Sequence, residues 1–247
     1  MRKRHEDILR LLKNRKYLSK QDLIIQLHYS ESTIRRDLVQ LEKMNLVKRT
    51  HGGVFLVNDE MIENPHEIKF ELYQEEKRMI AELAIDFVDD YSTIFLDASS
   101  TAHYLAKLLK RRHHLKVITS NLATAYEIDR QEHNQVYLLG GEVTGGKICG
   151  SFALDMMKQI SIDMAFISCR GFLSSFGASD ILESEAGLKK QVRRQAKKII
   201  LLMDNSKFDK RFFFQTILSE EIDYLVTYNK PPKEYLNQSY ELVYWNE

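Results

Sequence analysis

Proline is scarce in this chain, with three residues among 247, which argues against long disordered stretches. Cysteine is scarcer still. Cys149 and Cys169 stand alone, without metal-like spacing; they suit a reducing compartment, exclude a disulfide framework and are poor candidates for catalysis. No apolar run approaches the roughly eighteen residues that a membrane span needs. The opening stretch Met1-Arg2-Lys3-Arg4-His5-Glu6-Asp7 has no apolar segment behind it and does not read as a signal peptide. These absences predict a cytoplasmic protein with no membrane partner, of one or two domains by length. Neither a metal nor a cofactor is expected.

A strong net charge is also missing, but the formal +1 hides a split. Residues 1–57 hold 13 Lys+Arg against 6 Asp+Glu, a net of +7, and the remainder carries −6. A basic head on an acidic body is what a nucleic-acid-binding module attached to a sensor would show. Charge alone would equally suit RNA or an acidic membrane surface.

The pattern within the head narrows the choice. Ile8, Leu11 and Leu12 mark a first helix over about Arg4 to Asn14. A short helix follows from Ser19 with Leu23, Ile24 and Leu27 on its buried side, and the turn His28-Tyr29-Ser30 joins it to another. That next helix has Ser30 as N-cap and Ile34, Leu38 and Leu41 at i, i+4, i+7. Its other face offers Ser32, Thr33, Arg35, Arg36, Gln40 and Lys43, and its acidic residues Glu31, Asp37 and Glu42 read as solvated charge. This is helix-turn-helix spacing with a face of the residue types that grip guanine edges and phosphates in the major groove. Two β-prone runs then flank Gly52-Gly53, predicting a hairpin wing with Lys48 and Arg49 toward phosphate and His51 beside them. A small helical domain with a solvated basic face is the plainer alternative, but it leaves the combination of turn, helix and wing unaccounted for.

The stretch from Arg4 to Phe55 resembles the winged helix of the DeoR family of bacterial transcription regulators. The resemblance is carried by Arg4, Ile8, Ser32-Thr33-Ile34-Arg35-Arg36-Asp37-Leu38, Leu41-Glu42 and Arg49-Thr50-His51-Gly52-Gly53. It implies that Ser32, Thr33, Arg35 and Arg36 face DNA.

Residues 58–73, with Pro65 and many glutamates, read as a linker. From residue 74 to 247 a helix with Ile80, Leu83, Ala84, Phe87 and Val88 on one side gives way to apolar strands alternating with helices. Strands are expected at Thr93–Leu96, Leu115–Ile118, Gln135–Leu139, Met164–Ile167, Lys198–Met203 and Tyr224–Thr227. Such alternation predicts an α/β domain on a parallel sheet covered on both faces, with its ligand at the carboxyl ends of the strands.

The loops at those ends are polar. They hold Asp97, Ser99, Ser100 and Thr101; Thr119, Ser120 and Asn121; Gly140 and Gly141; Arg170; and Lys207. Glu185 and Lys189 lie on the helix after the fourth strand. Hydroxyl residues opening a helix suit an anion such as phosphate, Gly141 would let backbone approach a ligand, and Arg170 could pair with phosphate or carboxylate. Read singly, Ser99 is also an ordinary N-cap and Lys189 an ordinary solvated lysine. Together the loops suggest a small anionic polyol.

This half resembles the sensor domain of the same family, through Phe95-Leu96-Asp97-Ala98-Ser99-Ser100-Thr101, Thr119-Ser120-Asn121, Leu139-Gly140-Gly141, Asp163 to Ile167, Glu185 to Lys189 and Asp204-Asn205-Ser206-Lys207-Phe208. That likeness implies a fold similar to ribose-5-phosphate isomerase and a phosphorylated sugar as inducer. Ser99 stands where family members usually carry glycine, and the position of Arg170 varies in the family, so it would tune which sugar is read. The expectation is a winged helix-turn-helix head and an α/β sensor domain forming a homodimer or homotetramer, a repressor of a carbohydrate-use operon that leaves its operator DNA when a phosphorylated sugar binds. The rival is an active sugar-phosphate isomerase with a DNA-binding head, using Asp97, Glu142 or Glu185 as base.

Overall fold

The computed structural model describes residues 3–15, 17–44, 46–50, 52–56 and 73–245. The chain forms two compact units, Met1–Leu72 and Tyr73–Glu247. The predicted linker, all but Tyr73, and His51 lie outside the described residues.

In the first unit α1 (Lys3–Arg15), α2 (Lys20–Leu27) and α3 (Glu31–Lys43) pack Ile8, Leu12, Leu23, Ile34, Leu38 and Leu41 into one core with Leu18, Val47 and Val54. Helix α2 opens on a capping box, in which Ser19 Oγ accepts the Asp22 amide at 2.9 Å and Asp22 Oδ2 accepts the Ser19 amide at 3.1 Å. It closes on His28 at φ 55, a left-handed residue that turns the chain toward α3. Strands β2 (Val47–Arg49) and β3 (Gly53–Leu56) form the predicted hairpin.

A third strand, β1 (Tyr17–Ser19), pairs antiparallel with β3 and was not legible in the sequence. It accounts for the glycine before Val54. A Cβ on Gly53 would stand 2.3 Å from the Leu18 carbonyl oxygen and 2.6 Å from the Tyr17 ring.

Asp37 corrects the view of it as a solvated charge. It is fully buried; Arg4 Nε donates to its Oδ2 at 2.7 Å, Arg4 Nη2 reaches Oδ1 at 3.2 Å, and His5 Nε2 lies 3.3 Å from Oδ1. The acid therefore ties α3 to α1.

The second unit begins with α4 (Gln74–Ala84) and is built on seven parallel strands. In chain order the first part comprises β4 (Thr93–Leu96), α5 (Ser100–Leu108), β5 (Lys116–Thr119), α6 (Leu122–Asp129) and β6 (Gln135–Leu138). A hairpin of β7 (Glu142–Thr144) and β8 (Lys147–Cys149) and then α7 (Ser151–Met157) lead to β9 (Ile162–Ile167). Next come β10 (Gly171–Leu173), β11 (Gly177–Asp180), α8 (Glu183–Gln195), β12 (Ala196–Leu202), β13 (Phe214–Ile217), β14 (Tyr224–Thr227) and β15 (Glu241–Tyr244).

The sheet order is β15-β14-β12-β9-β4-β5-β6. The chain thus winds outward from β4 to one edge, returns to place β9 beside β4, and winds out to the other edge. The order reverses between β4 and β9, and ligands of doubly wound sheets sit outside the carboxyl ends of the strands at such a reversal. The strands flanking it are almost wholly buried, with Ile94, Phe95, Leu96, Ala165, Phe166 and Ile167 at 0% exposure.

Three features were not anticipated. The loop after β9 enters a second, antiparallel sheet, β10-β11-β13. The connection after β6 carries the β7–β8 hairpin. Strand β15 forms the far edge of the main sheet.

Candidate functional site

In the head, α3 presents one face outward. Ser32, Arg35 and Arg36 are exposed, Thr33 is half-buried, and Ser30, Glu31, Ser32, Arg35, Arg36 and Val39 line an open depression. Ser30 Oγ lies 3.1 Å from Ser32 Oγ and 2.8 Å from Thr33 Oγ1, so the first turn is a small hydroxyl cluster. Arg35 and Arg36 straddle the buried pair Ile34 and Asp37, which fixes the rotation of the helix and hence the direction of the two guanidinium groups.

The wing residues stand differently from the simple expectation. Arg49 Nε donates to Glu42 Oε2 at 2.6 Å, and its amide donates to Glu42 Oε1 at 3.0 Å. Burial pushes the Glu42 carboxyl up, but these bonds and the charges of Arg49 and Lys48 outweigh it and hold the group below its usual range. Arg49 is thus engaged by α3 rather than directed only outward. Lys48 is half-buried on the same strand.

In the second unit, the residues after β4 and β9 meet across the reversal. Asp97 is 3% exposed. Its Oδ1 accepts the Ser99 amide at 3.0 Å and its Oδ2 accepts the Ser168 amide at 2.7 Å. Ser168 is a hub that sequence reasoning did not single out. Its Oγ donates to the Leu202 carbonyl at 2.5 Å and accepts from Lys207 Nζ at 2.7 Å, while its own carbonyl accepts from Lys189 Nζ at 2.6 Å.

Lys189 is 7% exposed, so the solvated-lysine alternative fails. Its Nζ donates to Asp180 Oδ2 at 2.7 Å and lies 3.7 Å from Asp97 Oδ2. Burial disfavours its charge, but Asp180, Asp97 and Glu185 more than compensate and hold it protonated. Glu185 has an ammonium of its own in Lys147, which leaves Lys189 between Asp180 and Asp97. Burial pushes the Asp180 carboxyl up, Lys189 pulls it back, and Glu185 and Asp97 add to the rise, leaving it at about 6. Asp180 was missed because nothing in its local sequence marks it; its partner is on the next helix.

Asp204 is likewise buried, and Lys207 Nζ lies 3.7 Å from its Oδ2. Burial raises its carboxyl, but Lys207, Ser206 and Lys77 bring it below the usual range.

The expected loop residues fall around this buried cluster with varied jobs. Ser99 and Asn121 are N-caps, accepting the amides of Ala102 at 3.1 Å and Thr124 at 2.9 Å. Ser100 and Thr101 open α5 and are buried, as are Thr119 and Ser120. Thr119 Oγ1 accepts the Asn121 amide at 3.2 Å, and Asn121 Nδ2 reaches the Ala98 carbonyl at 3.5 Å, joining the first two loops.

Glu185 bonds Lys147 of β8. Arg170 is half-buried, its guanidinium 5.9 Å from the Phe212 ring centroid. At Gly141, with φ 149, a Cβ would lie 2.4 Å from the Cys149 carbonyl oxygen, so one close approach it permits is to strand β8. Cys169 is buried, and burial pushes its thiol up to about 12, which leaves it inert. Among the described residues no group of three or more His, Cys, Asp or Glu could hold a metal ion, and no helix is long and apolar enough to cross a membrane.

A winged helix-turn-helix head is followed by a parallel α/β domain with a buried polar cluster at its strand-order reversal, an arrangement that fits a transcription regulator. The chain belongs to the DeoR family: residues 4–60 match the model of the DeoR-like helix-turn-helix domain and residues 73–229 that of the DeoR C-terminal sensor domain. It is 34% identical over 229 residues to the HTH-type transcriptional regulator GolR of Listeria innocua, covering 92% of this chain and 90% of that protein. It is 29% identical to the glycerol-3-phosphate regulon repressor of Escherichia coli, over 93% of this chain and 91% of the other.

Among solved structures, a D-ribose-5-phosphate isomerase in complex with phospho-erythronic acid superimposes with a TM-score of 0.42 and 18% identity, over 55% of this chain and 54% of the isomerase. The family is one of DNA-binding transcription regulators, and the chain is a regulator rather than an enzyme.

Proposed function

We propose that this chain represses a carbohydrate-use operon and is released from its operator by a phosphorylated sugar bound in the crevice between β4 and β9. The reading is carried by one observation: Asp97 and Lys207 converge on Ser168 at the strand-order reversal, beside the N-termini of α5 and α6. Carboxylates there suit sugar hydroxyls, while ammonium groups and helix N-termini suit the phosphate. That a relative is named for a glycerol-3-phosphate regulon supports the class of ligand. The effector contacts on this reading come from Asp97, Ser99, Ser100, Thr101, Thr119, Ser120, Asn121, Arg170, Glu185, Lys189 and Lys207. Gly141 belongs with them as the glycine that lets backbone approach the ligand, besides its close approach to β8.

On the DNA side, Ser32, Thr33, Arg35 and Arg36 read the major groove, with Lys48, Arg49 and His51 toward the backbone. Two copies in a homodimer, or four in a homotetramer, would place heads on half-sites about 10.5 bp apart or multiples of it. Residues 1–57 are the DNA-binding part and 74–247 the sensor, working in the cytoplasm. Release needs a coupling of only about 1–3 kcal/mol between the two sites.

The test is fluorescence anisotropy on labelled duplex from upstream of the chain's own gene, titrated with sugar phosphates and their unphosphorylated parents. One ester that weakens DNA binding while its parent does not is the expected result. Specific DNA binding that no ester alters would remove the effector half of the proposal.

A further inference from the structure

The β7–β8 hairpin lies over the second effector loop. Lys147 pairs with Asn121 as an antiparallel bridge, the Ile148 amide donates to the Ser120 carbonyl at 2.7 Å, and the Leu122 amide donates to the Gly146 carbonyl at 3.0 Å. Its tip, Gly145-Gly146, has φ values of 56 and 76, a turn suited to residues without a side chain. Positive-φ glycines also flank it, Gly141 at 149 and Gly150 at 97.

From this hairpin Lys147 Nζ reaches Glu185 Oε1 in the first turn of α8. The pair is mostly shielded, with side-chain exposures of 14% and 19%. Glu185 stands one turn before Lys189 and lies close enough to Lys189 and Asp180 for its charge to act on both. The pair therefore sits between the loop after β5 and the buried Lys189 cluster.

We propose that Lys147 is the residue that selects a phosphate ester over its parent sugar, with Glu185 as the built-in competitor the phosphate must displace; this rests on the effector reading above. An anion arriving beside Thr119–Asn121 meets the Lys147 ammonium with a carboxylate already on it. Two anions sharing one shielded ammonium repel each other. Binding a phosphate is then an exchange: the Lys147–Glu185 contact opens and a Lys147–phosphate contact forms. A neutral sugar hydroxyl is a weaker acceptor than a carboxylate and cannot drive that exchange. A phosphate dianion, with more charge and three acceptor oxygens, can. Discrimination arises as much from the competitor that rejects the wrong ligand as from the contact that holds the right one. The exchange also opens the Lys147–Glu185 link between the hairpin and the first turn of α8, which makes occupancy of the site visible to an element of the fold.

Isothermal titration of the full-length protein with inorganic phosphate tests this, using Lys147→Met, Lys147→Arg and Glu185→Gln, each first shown to melt cooperatively near the wild-type temperature. Removing the competitor should tighten phosphate binding about tenfold, and removing the ammonium should weaken it about tenfold, the scale of one charge-assisted hydrogen bond. Lys147→Arg should retain most of the affinity. In the Lys147→Met background Glu185→Gln should lose most of its tenfold effect, because the competition runs chiefly through the Lys147 ammonium; an undiminished tenfold gain there would assign the effect to Lys189 and overturn the exchange.

Equal affinities across the wild type and single variants, or no phosphate binding in any of them, overturn the assignment. If the affinities are equal while esters still release the wild type from DNA, the effector reading stands without the exchange. If the exchange is seen but no ester alters DNA binding, the anion site stands and the effector reading falls.

Discussion

The carboxylate of Asp97 accepts the main-chain amide of Ser168 at 2.7 Å, joining the ends of two neighbouring strands whose residues are 71 positions apart in the chain. Asp97 also holds the Ser99 amide at the entrance to α5. One buried side chain therefore sets the spacing of the loops after β4 and β9. Asp97→Ala should leave the Ser168 amide without its acceptor and cost about 1–3 kcal/mol, read as a lower urea midpoint. Asp97→Asn should cost less, because its amide oxygen still accepts. An Asp97→Ala protein with the wild-type midpoint would show that the bond contributes nothing to stability.

Lys207 should behave differently, because its side chain keeps 16% exposure where that of Asp97 has 4%, and its ammonium donates to the Ser168 hydroxyl without spanning two loops. Lys207→Ala is expected to blunt release by the effector while leaving operator affinity within about twofold, a change too small to register as a lost charge contact. Anisotropy with and without ester distinguishes the two. An unaltered response would take Lys207 out of the effector site.

Arg36 is exposed on α3, whereas Arg49 is bonded to Glu42. Arg36→Ala should weaken operator binding roughly tenfold to a hundredfold. If the lost contact is to a base, the penalty should vanish on non-specific duplex; if it is to phosphate, the salt dependence should fall by about one contact. Arg49→Ala removes a cation and also uncovers the Glu42 carboxylate, so Glu42→Gln in the same chain should recover part of its loss. No recovery would mean that Arg49 acts on DNA independently of Glu42.

Asp37 gives the head a pH signature. Burial raises its carboxyl, but the bonds and charges of Arg4 and His5 outweigh that and leave it below its usual range. A carboxyl with a lowered folded value stabilises fully above the unfolded value of about 3.9, and that stability is lost as pH falls through the folded value. The head should therefore melt at a steady temperature from pH 7 to about 5 and lose stability below about 4, as far as this group governs it. Asp37→Asn should melt several degrees lower at pH 7 and lose the Asp37 share of the acid-side fall. An identical acid limb in the variant would assign the fall to other groups.

Gly53→Ala tests the unforeseen third strand. Its Cβ would lie 2.3 Å from the Leu18 carbonyl oxygen, a backbone atom that cannot swing aside. The substitution should separate β1 from β3 and lower the melting temperature of the head, with a loss of DNA affinity. Gly52→Ala should be milder, because the nearest atom to its Cβ is the Tyr17 hydroxyl at 3.0 Å, the far end of a side chain. Equal effects from the two would argue against the strand contact as the cause.

The recognition helix was legible because its signals are local: a serine cap, a stripe at Ile34, Leu38 and Leu41, and arginines on the remaining face all lie within thirteen residues. The same holds for five of the six predicted strands, whose apolar runs mark buried positions whichever neighbour each strand finds; the other, β6, was legible by the same run but stands at the sheet edge with Tyr137 and Leu138 exposed. Strand β1 has three residues, too few for a period to show. Strand β15 was missed although its run Leu242-Val243-Tyr244 is as apolar as that of β6; it lies half exposed at the other edge of the sheet.

What the sequence by itself determined was the set of elements, the charge split between head and body, and the polar ends of the strands. Each follows from neighbours a few residues apart. Tertiary structure alone decided which of those polar residues meet. Asp37 reads as one more helix acid until α1 brings Arg4 and His5 to it. Lys189 reads as solvated until β11 brings Asp180. Ser168 becomes the centre of the buried polar cluster only because the chain reverses its strand order between β4 and β9. Their partners come from other elements, up to tens of residues away, and a pairing fixed by topology leaves no periodic trace in the sequence around either member.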